Sequence, residues 1–352
     1  MTRASSNDLD FLTTRLHARR SRMAEGKRLE ELCQVRNLPE LGGVIFSGTE
    51  LTRAADFQRR LVQDLVQELS ACLKHLETEE QDFIAWLLAR FQVENAKILL
   101  RGFLNSIVLE TLQPRLVALP SGWELDATAL LAAKSLEAFA GLLPSGSPRH
   151  RLRALLAQLR EPQPFLLEAA LDAGYFRELL SRNNRLPSGE LEIVKPLVLQ
   201  EANLFQLMLV LRGRFLLGLQ AESLLPLRVS EGGDHAAWFH SLVSAPDLPS
   251  AVKCGVGIVL DELPAGRSAG TDPAAMEVAA VETLAWQRYL HLANSAFRAS
   301  HNGVGAVAGY FGVRRMEIAN LITLSEGLRL GVEARETQAR LLPRTNLEVA
   351  HV

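Results

Sequence analysis

The sequence predicts an all-α protein made of three similar helical domains, and three observations carry that prediction. Aromatic residues are only 6% of the chain, Leu, Ala, Glu and Arg dominate, and β-branched runs are few, so helix propensity prevails nearly throughout. The chain has 352 residues, enough to bury several cores and to divide into three units of about 115 residues. A pattern also recurs three times: FQVENAKILLRGF at 91–103, LQEANLFQLMLVLRGRF at 199–215 and FGVRRMEIANLITLSEG at 311–327. Each places an acidic residue ahead of a leucine-rich helical run that closes on a polar residue and Gly. The acidic anchors Glu94, Glu201 and Glu317 are 107 and 116 residues apart, beyond the roughly 20 to 50 residues of a solenoid repeat, so the repeating unit is domain-sized. A second echo precedes each copy, a short Leu-centred element flanked by Pro, Gly or small residues, around Leu38, Leu136 and Leu248.

Taken in order, Asp8 and Asp10 precede a helix carrying RLHARRSR at 15–22, and a second helix over 29–35 closes at Asn37 and Pro39. Thr52 is placed to cap the next helix. There Phe57, Leu61, Leu65 and Leu69 recur every four residues, one face of an amphipathic helix within 54–76. A long, bent helix follows over 78–104. Pro120, Ser121 and Gly122 break the pattern before Asp126 caps a new helix, which sets the first boundary. The domains are then 1–125, 126–235 and 236–352. The second passes through a loop, PSGSPRH at 144–150, and through LDAGYFRELL at 171–180; SEGGDH at 230–235 opens the third. LPAGRSAGTDPAAM at 263–276 reads as a mobile surface loop rather than a lid.

Charge and motif content exclude several function classes. A net charge of -2 and a pI near 6.5 give no field that calls for nucleic acid or an anionic membrane surface. The basic run Arg15, His17, Arg19, Arg20 and Arg22 spreads around more than one helical face, which suits a solvated or salt-bridged helix rather than a phosphate-tracking stripe. Cys33, Cys72 and Cys254 are odd in number and lack CxxC spacing, so a reducing cytosol without disulfides is expected. The stretch MTRASSNDLDF at 1–11 is polar and has no apolar signal-peptide core. The most apolar segment, 204–225, is broken by Arg212 and Arg214, so no bilayer-spanning helix is expected. There is no GxxxxGK[ST] phosphate cradle. GVGAVAG at 303–309 is spaced GxGxxxG with no strand ahead of it, a pattern of small residues that lets helices approach closely. No HExxH occurs, His235 and His240 are five apart, and the paired Asp-rich motifs of magnesium-dependent prenyl-transfer enzymes are missing. GxSxG is missing too, as is a Cys with an obvious His partner. No catalytic residue, cofactor or metal is therefore expected.

The residues of interest are polar ones within the repeated helices: Glu94, Asn95, Arg101, Glu201, Arg212, Glu317 and Asn320. Glu94 and Arg101 are two turns apart, and Glu317 lies three before Asn320 on one face. Such side chains serve either to fasten a helix to its neighbours or to contact a partner directly.

Five places, in order along nearly the whole chain, resemble the C subunit of the bacterial and archaeal V/A-type rotary ATPases, the counterpart of the d subunit in the eukaryotic vacuolar proton pump. LDFLTTRLHARRSRM at 9–23 is similar to that family's opening helix, with an aromatic residue followed by spaced arginines, and FQVENAKILLRGFLN at 91–105 to its first acidic, leucine-rich helix. LDAGYFRELL is similar to its "LD, then YF, then LL" element and EANLFQLMLVLRGRF to its second acidic helix. YFGVRRMEIANLITLSEGLRLGV at 310–332 is similar to the C-terminal helix, with its E-I-x-N-L core at Glu317, Ile318, Asn320 and Leu321. Two departures stand out: Met208 where an Asn is expected in the second repeat, and Glu326 in place of the usual basic or neutral residue.

The resemblance implies a non-catalytic rotor component, one copy per complex, peripheral at the cytoplasmic face of the membrane. Three helical units would surround a pseudo-three-fold axis as a funnel seated on the proteolipid ring, with the D and F proteins of the central stalk in its cavity. Torque passed between head and membrane sector would couple ATP hydrolysis or synthesis to proton or sodium transport. Turns at 144–148 and 263–273 are candidate contact loops. A helical scaffold for soluble partners is the alternative, and would be found without ATPase components. An all-helical enzyme would need a deep polar pocket of convergent carboxylates or histidines.

Overall fold

The computed structural model describes residues 6–47, 51–158, 161, 163–230, 233–260, 278–300 and 303–342. No strand occurs among them, so the fold is all-α as expected. In chain order the helices are α1 (Ser6–Arg20), α2 (Gly26–Leu32), α3 (Leu38–Ile45), α4 (Ala54–Leu73), α5 (Thr78–Leu104), α6 (Leu109–Leu112), α7 (Ala127–Leu131), α8 (Leu136–Leu142) and α9 (Ser147–Leu156). They continue as α10 (Pro164–Asn183), α11 (Ser188–Val210), α12 (Ala221–Leu224), α13 (Gly233–Val243), α14 (Leu248–Val259), α15 (Val278–Ala299), α16 (Val304–Leu330) and α17 (Ala334–Ala339).

The Leu-centred echo is a thrice-used helix start. Leu38, Leu136 and Leu248 are the first residues of α3, α8 and α14, and the residue before each caps the helix. The Asn37 Oδ1, Ser135 Oγ and Asp247 Oδ1 atoms accept from the backbone N–H groups of Glu40, Ala138 and Ser250 at 2.9, 3.2 and 2.8 Å. Each satisfies one of the N–H groups that a helix leaves without a partner in its first turn. Asn37 therefore opens α3 instead of closing the helix before it. Thr52 does not cap α4, whose N-cap residue is Arg53 without a side-chain bond. Asp126 caps α7 through the Ala129 N–H at 2.9 Å. The 144–150 segment is only partly loop, since α9 begins at Ser147. The 263–276 segment lies outside the described residues.

The chain forms two compact units, one of Met1–Gln81 with Leu290–Val352 and the other of Asp82–Tyr289. In the first, α16 is the centre and packs against α4, α1, α3 and α17. The α4 face of Phe57, Leu61, Leu65 and Leu69 is fully buried, as its four-residue period predicts. Gly309 lies against the backbone of Phe297, so α15 and α16 approach more closely than a Cβ would permit. In the second unit α10 packs on α9 and α11, while α13 and α14 pack on α11. Gly174 of α10 meets the Pro148 backbone in the same way. The run Ser188–Leu216 is long and apolar enough to cross a membrane by composition, but Val194, Leu197, Ala202, Leu207 and Val210 are buried inside this unit. It is a core helix here, ending in a π-helical turn at Leu211–Leu216.

Candidate functional site

The ends of three long helices carry a common pattern of contacts, with glycine as its reference point. Gly102, Gly213 and Gly327 each face the short helix that follows: a Cβ on Gly102 would strike the Leu112 side chain, one on Gly213 would lie 3.1 Å from Leu224, and one on Gly327 would lie 2.6 Å from Thr337. Seven residues before each glycine stands a side-chain amide, Asn95, Gln206 or Asn320. Asn95 donates to the Val117 carbonyl at 2.7 Å and accepts from the Val117 N–H at 2.9 Å. Asn320 makes the same pair of bonds to Leu342, with the N–H at 2.8 Å. Gln206 accepts from the Val229 N–H at 3.1 Å. The residue held is 22 positions downstream in the first and third copies and 23 in the second. The π-helical turn after α11 lies in that longer connection, and the longer amide side chain reaches across it. Each amide satisfies backbone groups of one half-buried or buried residue, which would otherwise lose those hydrogen bonds as the chain folds back.

This register corrects one expectation. The Asn missing at Met208 is supplied in effect by Gln206, while Met208 is a buried apolar side chain. The register shared by the three copies runs from the glycine, because Glu94, Glu201 and Glu317 do not stand at equal distances from their glycines.

The residue just before each glycine joins its helix to another long helix. Arg101 bonds both carboxylate oxygens of Glu168 on α10, at 2.6 and 3.0 Å. Arg212 meets Glu282 on α15 at 2.6 Å. At the third site the polarity is inverted, with Glu326 accepting at 2.6 Å from Gln58 on α4, which also bonds the Ser325 hydroxyl at 3.0 Å. The hydrogen bonds from Arg329 and Gln58 hold the Glu326 carboxyl below its ordinary range. An open cleft of about 490 Å³ beside this joint is lined by Arg53, Gln58, Glu326 and Arg329 among others.

Two partly buried ionic clusters lie elsewhere in the molecule. In the second unit Lys97 reaches Asp172 at 2.8 Å and Glu94 at 3.1 Å, and Arg90 reaches the same two carboxylates at 3.1 and 2.7 Å. Burial pushes the Asp172 carboxyl up against the pull of Arg90 and Lys97. Burial works the same way on Glu94, but Arg90 and Lys97 outweigh it and hold that carboxyl low. In the first unit Glu68 takes the Tyr310 hydroxyl at 2.8 Å, Arg19 at 2.8 Å and Arg314 at 3.6 Å. Arg314 also pairs with Glu317, whose carboxylate accepts from the Ala24 N–H at 2.6 Å. Burial first, and then the Glu68 carboxylate, push the Tyr310 phenol far up. Glu201 is buried within α11.

Of the residues singled out in sequence, Asn95 and Asn320 thus hold returning chain, Arg101 and Arg212 join helices, and Glu94 and Glu317 enter the two ionic clusters. Lys97, Asp172, Glu68, Tyr310, Gln206, Glu168 and Glu282 were missed. A Lys inside an apolar helical run was a readable signal, as was an amide seven before the glycine, and Asp172 stands in the LD element already singled out; Glu68, Glu168 and Glu282 left none.

The contacts these groups make tie one helix to another. Among the described residues no group of three or more His, Cys, Asp or Glu side chains is placed to hold a metal ion. Burial pushes the Cys72 thiol up to about 11 and also raises Cys33 and Cys254, so none is an activated nucleophile. The family model described as ATP synthase (C/AC39) subunit matches residues 12–340. No curated protein matches the chain.

Proposed function

The chain belongs to the ATP synthase (C/AC39) subunit family, whose members are structural rather than catalytic parts of a rotary ATPase, and from that premise we propose that it is the central-stalk rotor component of a V/A-type enzyme. In this reading it links the D and F proteins of the stalk to the proteolipid ring and transmits torque for proton or sodium transport. It lies peripherally at the cytoplasmic face, one copy per complex. Repeat domains over 1–125, 126–235 and 236–352 surround a pseudo-three-fold axis as a funnel. The observation that carries the reading is a family match over nearly the whole chain.

Three features of the molecule support it. A torque coupler must resist shear, and the helix ends here are tied by amide clamps, backbone-close glycine contacts and ionic joints, on top of close-packed interiors near a density of about 0.74. The joints follow a cyclic order, first repeat to second, second to third, third back to first, as a pseudo-three-fold arrangement requires. Exposed apolar side chains also stand near each of the three helix ends, Val108, Leu217 and Leu330, which a partner presenting repeated surfaces would cover.

The test is to tag the protein in its native cell, solubilise membranes in mild detergent and identify by mass spectrometry what copurifies. Proteolipid, the D and F stalk proteins and the large nucleotide-binding proteins of the head are expected. Recovery solely from the soluble fraction, without them, would overturn the reading in favour of a scaffold for soluble partners.

A further inference from the structure

The three joints pose a problem of recognition. Comparable helix ends occur three times in one chain, and three helices, α4, α10 and α15, each carry the partner of one such end. For the first two joints proximity supplies the answer, because Arg101 and Glu168 are 67 residues apart and Arg212 and Glu282 are 70. Glu326 and Gln58 are 268 apart, and loop-closure entropy grows with that separation, so proximity does not select this pair. By the time α16 exists, α10 and α15 precede it in the chain as nearer acceptors. It is at this joint that the donor and acceptor sides are exchanged, with the negative charge of the pair on the α16 end.

We infer that the inverted pair Glu326–Gln58 is a specificity device that directs α16 to α4 and away from α10 and α15, within one molecule and between copies. Docked on α10 or α15, the α16 end would set Glu326 against Glu168 or Glu282, two like charges. Docked on α4, the α5 or α11 end would set Arg101 or Arg212 against a neutral Gln58 and lose its ion pair. Only the native partner for α16 combines a negative acceptor with a neutral donor, and Ser325 adds a second bond to the same amide. Exchange between the first two joints is left charge-neutral, since both are Arg–Glu pairs, and short connections already separate them. Mispairing between copies is domain swapping, to which a repeated architecture is exposed.

The experiment uses the full chain and a Gln58→Glu/Glu326→Arg double variant, which gives the third joint the same pair as the other two. Both are unfolded in urea and refolded by dilution over a range of protein concentrations, and monomer and dimer are counted by size-exclusion chromatography with light scattering. The double variant is expected to keep an unfolding midpoint close to that of the parent while forming about threefold to fivefold more dimer at equal concentration, the size of an exposed charge-pair effect. Equal dimer fractions overturn the inference. Should the double variant not fold, Arg101→Glu/Glu168→Gln decides: it copies the inverted polarity onto the first joint, leaves residues 58 and 326 untouched, and is expected to raise the dimer fraction similarly. An unchanged fraction in that variant rejects the device.

Discussion

Asn95, Gln206 and Asn320 place one amide opposite one peptide, and the match of two bonds to a single residue is what makes Asn95 hard to replace. Asn95→Ala leaves the N–H and C=O of Val117 without their partner at a half-buried position. The expected cost is about 2 kcal/mol in urea unfolding. Gln206→Ala, which releases the one Val229 N–H, is expected to cost about half as much. Cys72 acts at the same scale through pH. Its thiol titrates near 11 when folded, against 9.0 for an ordinary cysteine. The folded protein therefore keeps that proton after the unfolded chain has lost it. Stability from this source is complete below pH 9 and disappears as pH rises through 11, a loss of about 2 to 3 kcal/mol. Urea melts of the parent and Cys72→Ala at pH 8, 9.5 and 11 check this: the parent's advantage is expected to shrink steadily, and a constant difference would contradict the burial argument.

At the scale of elements, backbone-close helix contacts decide which glycines are replaceable. Gly174→Ala drives a methyl into the Pro148 backbone, so α9 must move away from α10. Gly141, inside α8, has nothing within 4 Å of the added carbon. Thermal melts should show Gly174→Ala losing several degrees or failing to fold, and Gly141→Ala gaining about 0.4–1 kcal/mol from reduced freedom of the unfolded chain. What was legible in the sequence divides along the same line. The four-residue period of Phe57, Leu61, Leu65 and Leu69 and the three capped Leu starts are written in neighbouring residues, and both could be read. Asn37 was misassigned because the same side chain suits the close of one helix and the start of another. Thr52 was misassigned because α4 starts one residue later than a Thr cap would place it. Glu68 bonding Tyr310 spans 242 residues, and no local pattern encodes a partner that far away. Gln206 fell between: its place seven residues before Gly213 is visible in the sequence, but it is a Gln where the other two copies carry Asn.

For the whole molecule, the unit that contains both ends of the chain has its ionic centre at Glu68, so damage there should be confined. Glu68→Ala leaves Arg314 short of one carboxylate and the Tyr310 hydroxyl without its acceptor. A cost of about 3 kcal/mol is expected. Hydrogen exchange followed by mass spectrometry should then quicken in α1, α4 and α16 while α10 and α11 keep their protection; an equal loss in both sets would mean that the two units unfold as one. The same unit has a consequence for synthesis. The apolar face of α4 is complete soon after residue 73 leaves the ribosome, yet α16, which covers it, ends at Leu330. At about 5–20 residues per second the nascent chain carries that uncovered face for roughly 13 to 50 s. During that interval α4 is a natural substrate for a cotranslational chaperone.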